Sequence, residues 1–172
     1  MEKNLVVWQW AGFTFAVVLG TLLHFLYAWT GAYAFAPVSA VNESTWEHMK
    51  ILFFPLLFFA LFQSRYATAY QGFWWIKCIG IFVGVSCIPI LFYTYNGAFG
   101  KSPDWLNILF FFIAAAISFF VETHLFRAQF SPRFSWLAIA LLALGVVAFC
   151  VFTFIPPRLP IFQGPISGGY GL

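Results

Sequence analysis

The sequence predicts an all-α integral membrane protein, built as a bundle of five transmembrane helices. Hydrophobic residues make up 63% of the 172 residues and charged residues only 8%, a composition far from that of soluble domains. The mean hydropathy is +0.91. Apolar runs reach roughly 20 residues, the length a helix needs to cross the bilayer hydrocarbon. We therefore expect a single transmembrane domain over residues 1–172, placed in a bacterial or archaeal cytoplasmic membrane with the lipid bilayer as its main partner.

Five segments are long and apolar enough to span the membrane, at about residues 5–29, 44–65, 72–95, 105–127 and 135–155. The first is too long for a cleaved signal peptide and has no small-residue cleavage site behind it, so we expect it to be retained. Pro156-Pro157 ends the fifth helix, because proline lacks the amide hydrogen that would continue it. Residues 156–172 are rich in proline and glycine, which predicts an irregular tail.

The positive charges indicate the orientation of the helices. Five lysines and arginines fall on the side of the N-terminus: Lys3, Arg65, Lys77, Arg127 and Arg133. Three fall on the other side: Lys50, Lys101 and Arg158. Because cytoplasmic loops carry the excess of Lys and Arg, we predict a cytoplasmic N-terminus and an outside C-terminus. The net charge of +3 is too small and too dispersed for nucleic-acid binding, so no nucleic acid is expected among the partners.

The segment VNESTWEHMK, residues 41–50, concentrates polar residues at the start of the second predicted helix. Ser44 and Glu47 have the spacing of a capping box, in which Ser44 bonds a free amide of the first turn and Glu47 reaches back to the cap. On that interpretation the segment is a well-capped helix start. The spacing also places Glu43, Glu47 and Lys50 on one helical stripe, which predicts a polar wedge at this end of the helix.

Two histidines are predicted to meet at this wedge. His24 and His48 lie roughly 8 and 6 Å from the same membrane surface, at 1.5 Å per residue. A histidine in a membrane helix needs a partner, so we expect Glu47 or Glu43 to face His24. Two histidines and one or two carboxylates are an acceptable ligand set for Zn²⁺ or Fe²⁺ with an open position for water. Buried His–Glu hydrogen bonds without a metal are the simpler alternative.

The candidate site is assigned from these positions. The predicted metal ligands are His24, Glu47 and His48, and the predicted catalytic carboxylates are Glu43 and Glu47. Other polar residues at this membrane end are predicted to contact a substrate: Tyr27, Ser44, Lys50, Tyr95, Asn96 and Arg158. His124 lies roughly 28 Å along the fourth helix from its start, near the other face, so it cannot join this site. We expect Glu122, beside it, to pair with Arg127.

The motif at the second helix resembles one found in a known family. His24, the pattern PVxxVNESxWEHxK over residues 37–50, and Pro55 together resemble a family of small bacterial multi-pass membrane proteins of unknown activity. The resemblance covers the first two helices closely and the tail around Pro160, Phe162 and residues 169–171 more loosely. It supports the position of the site and implies no reaction.

Three classes of function are compatible with these residues. The polar wedge at one depth favours a metal-assisted hydrolase or transferase acting on a lipid-like substrate at the outer leaflet. The same pocket could instead bind a small polar ligand or move protons, with the glutamates titrating. Alternatively, the wedge could pin the first helical hairpin in a structural membrane subunit. The sequence indicates no oligomeric state.

Overall fold

The computed structural model of the chain is an all-α bundle, and it describes residues 2–66, 70, 72–165 and 168–172. Its five long helices are α1 (Glu2–Thr30), α2 (Thr45–Ser64), α3 (Phe73–Phe99), α4 (Asp104–Arg127) and α5 (Ser135–Phe154). Short 3₁₀ helices lie at Tyr33–Phe35 and Pro160–Phe162. All five long helices are apolar and long enough to cross a membrane, as predicted. This fold is compatible with a multi-pass membrane protein.

Helix α2 is the centre of the bundle. Its most apolar window is 67% buried, against 22% for the windows of α1 and α5. A helix with apolar residues on every face belongs inside a bundle rather than at its surface. Phe53 packs its ring 4.9 Å from that of Phe149 on α5. Phe59 packs 6.1 Å from Trp8 on α1 and 6.2 Å from Phe119 on α4, so α2 contacts helices on several sides.

Small residues let the outer helices approach closely, as is common between transmembrane helices. A Cβ at Gly20 of α1 would lie 2.9 Å from the carbonyl oxygen of Ile51 on α2. A Cβ at Gly84 of α3 would lie 3.0 Å from the carbonyl oxygen of Ala114 on α4. Both distances are to backbone atoms, which cannot move aside easily. The α1–α2 and α3–α4 pairs therefore depend on glycine at these positions.

A buried ion pair joins α3 to α4. Lys77 Nζ lies 2.5 Å from Glu122 Oε2, and both side chains are about 1% exposed. A Cβ at Gly80 would lie 2.4 Å from Glu122 Cγ, so glycine there makes room for the carboxylate. Four phenylalanine rings surround the ammonium group, with centroids 5.5 to 5.9 Å away: Phe59, Phe73, Phe119 and Phe126.

The prediction that Glu122 pairs with Arg127 is wrong. Glu122 pairs with Lys77, whereas Arg127 is exposed at the end of α4. The reason is the antiparallel packing of the two helices. Lys77 lies four residues after the start of α3 and Glu122 five residues before the end of α4, so both reach the same depth.

We expect replacement of Lys77 alone to be strongly destabilising. Lys77→Met leaves Glu122 buried without its partner, which should cost about 3–5 kcal/mol of unfolding free energy. The double variant Lys77→Met/Glu122→Met should recover most of that loss, because two apolar side chains replace the pair. Unfolding of the purified protein in mixed micelles measures both changes. Arg127→Met is the matched control, and a loss there as large as that of Lys77→Met would contradict the assignment of the pair.

Candidate functional site

The connection between α1 and α2 is bonded back onto the end of α1. Ser39 is fully buried, and its hydroxyl donates to the carbonyl of Leu23 at 2.5 Å. The hydroxyl oxygen of Ser39 also accepts a hydrogen bond from the amide of Tyr27, at 2.9 Å. The amide of Ala40 also donates to the carbonyl of Leu23, at 3.1 Å. The chain thus returns to the level of Leu23 before α2 begins, which brings the segment 41–44 beside the last turns of α1.

Helix α2 begins at Thr45 with Ser44 as its N-cap. Ser44 is extended, with φ −70° and ψ 155°, and its hydroxyl accepts from the amide of Glu47 at 3.4 Å. The other half of the expected capping box is absent, because the amide of Ser44 donates to Oδ1 of Asn42 at 2.8 Å. Glu47 instead accepts from the amide of Val41, with Oε2 3.0 Å away. The start of α2 is therefore held by Ser44 and Asn42 together.

Glu47 and Lys50 form a closed polar network inside the bundle. Lys50 Nζ lies 2.5 Å from Glu47 Oε2, with the two side chains 0% and 2% exposed. The ammonium also donates to the hydroxyl of Thr153 on α5 at 2.7 Å and to the carbonyl of Ala36 at 2.8 Å. An ammonium has three hydrogens, and these three acceptors take all of them. The network ties α2, α5 and the α1–α2 connection together.

The tail packs over this network. Asn42 Nδ2 donates to the carbonyl of Gly171 at 3.0 Å. The ring of Trp46, in the first turn of α2, lies 4.7 Å from that of Phe162. The described part of the segment 156–172 therefore covers the end of α2 at which the candidate site lies.

His24, Glu43 and His48 form a cluster in which one ligand atom of each lies within 4.8 Å of the others. Nε2 of His24 is 3.7 Å from Oε1 of Glu43, and Nε2 of His48 is 3.6 Å from Oε2. These separations exceed the 2.7–3.2 Å of an ordinary N–H···O hydrogen bond. They are close to the roughly 3.3 Å between neighbouring ligands of a tetrahedral ion with bonds of about 2.0–2.1 Å. The three side chains can therefore surround one small cation.

The ring of His48 is oriented by its own helix. Nδ1 lies 2.9 Å from the carbonyl oxygen of Ser44. A carbonyl only accepts, so Nδ1 donates this bond, and the ring then directs Nε2 toward Glu43. Such a bond on the second nitrogen is the usual arrangement of a metal-binding histidine. The ring of His24 packs edge-on against Phe25, with centroids 4.7 Å apart.

The cluster is open on one side. The side chains of His24, Glu43 and His48 are 23%, 48% and 27% exposed, in contrast to the buried Glu47. Three protein ligands with an accessible fourth position are typical of catalytic zinc sites, whereas structural zinc sites are closed by four protein ligands. This arrangement can bind a cation and still admit water or another small ligand.

The structure brings together two of the three predicted ligands, His24 and His48, and places Glu43 between them. Glu47, predicted as both ligand and catalytic carboxylate, faces Lys50 in the closed network instead. The difference arises because α2 begins only at Thr45. Glu43 precedes the helix, so it does not share a helical stripe with Glu47, and the extended Ser44 separates the directions of the two carboxylates.

Three of the predicted substrate contacts lie within the α1–α2 hairpin. Ser44 is the buried cap of α2, and Lys50 is buried in the closed network. The backbone amide of Tyr27 donates a hydrogen bond to the hydroxyl of Ser39. The side chain of Tyr27 is half-buried on α1. Ser44 contributes to the cluster indirectly, because its carbonyl orients His48.

The other three predicted contacts lie elsewhere at the same membrane end. Asn96 bonds Ser102 in the α3–α4 connection, through Oδ1 at 2.8 Å and Nδ2 at 3.1 Å. The ring of Tyr95 packs against Phe110, with centroids 6.1 Å apart. Arg158 is exposed on the tail. The structure brings none of these three into the described His–Glu cluster.

Sequence reasoning missed Thr153. This residue lies one position before the end of α5, is fully buried and accepts a hydrogen bond from Lys50. The available signal was a lone polar residue in the last turn of an apolar helix, at the same membrane end as Lys50.

Comparison with known proteins gives a family and no activity. The whole chain, residues 1–172, matches DUF6512, described as a family of unknown function. No curated protein and no solved structure matches the chain.

The two glutamates should differ in their contribution to stability. Glu47→Gln leaves Lys50 buried without a counter-charge and should cost about 3–5 kcal/mol of unfolding free energy. Glu43→Gln changes a half-exposed group and should cost less than about 1 kcal/mol. Thermal unfolding of both variants in detergent measures the difference. Equal losses would show that Glu43 belongs to the structural network.

Proposed function

The chain belongs to DUF6512, a family of unknown function, and we propose from its own residues that it is a metal-dependent membrane hydrolase. His24, Glu43 and His48 bind one divalent transition metal ion, zinc or iron. The substrate is lipid-like and is hydrolysed at the membrane surface. The observation that carries the proposal is the cluster itself, in which three ligand atoms of suitable type lie within 4.8 Å of one another.

The ligand set favours catalysis over a purely structural metal. Two histidines and one carboxylate, with the fourth position open, form the pattern of hydrolytic zinc sites. A bound ion there would activate water for attack on a carbonyl or phosphoryl group. Glu43 has two carboxylate oxygens, so one can bind the ion while the other accepts the proton of the attacking water. That proton then passes to the leaving oxygen as the acyl–oxygen or phosphorus–oxygen bond breaks.

The surroundings of the cluster favour a lipid-like substrate. Phe25 and Trp29 follow His24 on α1, are 43% and 67% exposed, and stack with ring centroids 5.5 Å apart. An exposed aromatic pair beside a polar cluster offers an apolar surface to a chain whose head group reaches the ion. The excess of Lys and Arg at the opposite end supports a cytoplasmic N-terminus. The site then lies at the outer leaflet of the cell membrane.

The second candidate is a structural membrane subunit. The closed network of Glu47, Lys50 and Thr153 favours it, since this network holds the first hairpin and α5 together without any ligand. Binding of a small polar ligand by the same His–Glu cluster is a further alternative. The metal content of the purified protein distinguishes the metal-dependent hydrolase from the structural subunit and from the small-ligand-binding protein.

We expect detergent-purified protein to carry about one equivalent of zinc or iron, as for a site with a complete ligand set. His24→Ala, His48→Ala and Glu43→Ala should each lose most of the metal while remaining folded, because each removes one of three ligands. Elemental analysis by mass spectrometry measures the content. His124→Ala is the matched control, because His124 is exposed near the opposite end of α4, and it should keep the metal.

Two outcomes would contradict this proposal at different levels. Wild-type protein that binds neither Zn²⁺ nor Fe²⁺ after purification and reloading would overturn the metal site. Metal-loaded protein that releases no fatty acid or phosphate from lipid esters in mixed micelles would keep the metal site and remove the hydrolase. If the activity exists, chelation should abolish it and the metal should restore it, in wild type and His124→Ala alike.

A further inference from the structure

Glu43 lies in a turn that the side chain of Asn42 closes. Oδ1 of Asn42 accepts a hydrogen bond from the amide of Ser44 at 2.8 Å, so Glu43 is the middle residue of the resulting ring. This is an Asx-turn, in which a side-chain oxygen takes the place of a backbone carbonyl. Ser44 is extended, so α2 begins only after it and does not itself fix the backbone of Glu43. The Asn42 side chain therefore determines the direction in which Glu43 leaves the chain.

The other end of the same amide group is bonded to the tail. Nδ2 of Asn42 donates to the carbonyl of Gly171 at 3.0 Å. Rotation of the amide by half a turn would put the NH₂ group against the amide of Ser44 and the oxygen against the carbonyl of Gly171, so both bonds would be lost together. The carbonyl of Gly171 therefore selects the orientation in which Asn42 can close the turn around Glu43.

Gly171 is itself packed against the end of α5. Its φ is +65°, in the left-handed region that favours glycine. A Cβ at this position would lie 2.8 Å from the carbonyl oxygen of Thr153 and 2.8 Å from Cδ of Pro156. The next amide, that of Leu172, donates to the same carbonyl of Thr153 at 3.0 Å. The position of the Gly171 carbonyl is therefore set by α5, and only glycine fits there.

We propose that Asn42 is a positioning residue of the His–Glu cluster and that the end of the tail, residues 168–172, holds it in that role through Gly171. This inference rests on the metal site of the proposed function and adds its regulation, since the cluster is complete only while the tail is bonded to Asn42. Glu43 is the ligand that needs this support. It is 48% exposed and stands 3.7 and 3.6 Å from the histidine nitrogens, which helices α1 and α2 carry. Release of the tail then lets Glu43 leave the cluster and weakens the binding of metal.

Gly171→Ala separates the tail from Asn42 without changing any residue of the cluster. The added methyl group is strained at this φ and collides with the carbonyl oxygen of Thr153, so the bond from Asn42 should be lost. We expect the affinity of the full-length protein for Zn²⁺, measured in micelles by competition with a zinc-binding dye, to fall about fivefold, the effect of one hydrogen bond. Gly97→Ala is the matched control, because a Cβ there meets open space near the end of α3, and it should bind as wild type does. Unchanged affinity in Gly171→Ala would overturn the proposal.

The double variant Asn42→Ala/Gly171→Ala determines whether the tail acts through Asn42. Asn42→Ala removes both the turn and the bond to the tail, so it should weaken Zn²⁺ binding by more than about tenfold. In that background the addition of Gly171→Ala should change the affinity by less than about twofold, because the bond that it breaks is already gone. Losses that multiply would instead show that the tail acts by a general destabilisation of the bundle, and would contradict the role of Asn42.

Hydrogen exchange of the metal-free protein distinguishes failure of this inference from failure of the metal site. The amide of Ser44 should exchange about fivefold faster in Gly171→Ala than in wild type, because its acceptor on Asn42 is no longer held. Gly97→Ala should exchange as wild type does. Unchanged exchange in Gly171→Ala would overturn the inference whatever the metal content. Faster exchange in a protein that binds no zinc would support the positioning of Glu43 by the tail and overturn the proposed function alone.

Discussion

The buried ion pair between Glu47 and Lys50 is the contact on which the membrane end with the candidate site depends. An ammonium buried without acceptors is very costly in a bundle of this kind. Lys50 finds its acceptors on three different elements: Glu47 on α2, Thr153 on α5 and the carbonyl of Ala36 in the α1–α2 connection. The pair therefore fixes the connection against α2. Because the connection carries Glu43, the buried network also determines where the exposed cluster can form.

Depth along the helices could be predicted from the sequence, and rotation about their axes could not. His24 and His48 were expected at one level because both lie a few residues inside their helices, and the structure brings their rings to 5.4 Å. The depths of Lys77 and Glu122 in their antiparallel helices also follow from the sequence, which is enough to bring the two charges to one level. Helix α2 is apolar on all faces, so hydropathy alone does not indicate which side of it meets which neighbour.

Glu43, and not Glu47, lies between the two histidines, and this difference from the prediction shows where helical periodicity ends. An i, i+4 argument holds only inside a helix, and Ser44 is extended immediately before α2. Glu43 would share a stripe with Glu47 only if the helix continued across its own cap. The capping preference of Ser44 ends the stripe at the first helical residue, Thr45. Glu47 lies three residues before Lys50 inside α2, so the local pattern allows this ion pair. Its burial depends on Thr153 of α5, which is distant in sequence and which local pattern does not indicate.

Hydrogen-bond saturation separates the structural polar groups from those that can act on a ligand. In the described chain, Lys50 has three acceptors, which use all of its hydrogens, so it retains no donor for a ligand. Lys77 is withheld from ligands by burial instead, because Glu122 and four phenylalanine rings enclose it. Glu43 differs, because it stands between two histidine nitrogens at distances too long for hydrogen bonds. The arrangement around Glu43 is therefore one that can hold a cation, whereas the saturated ammonium of Lys50 can only be structural.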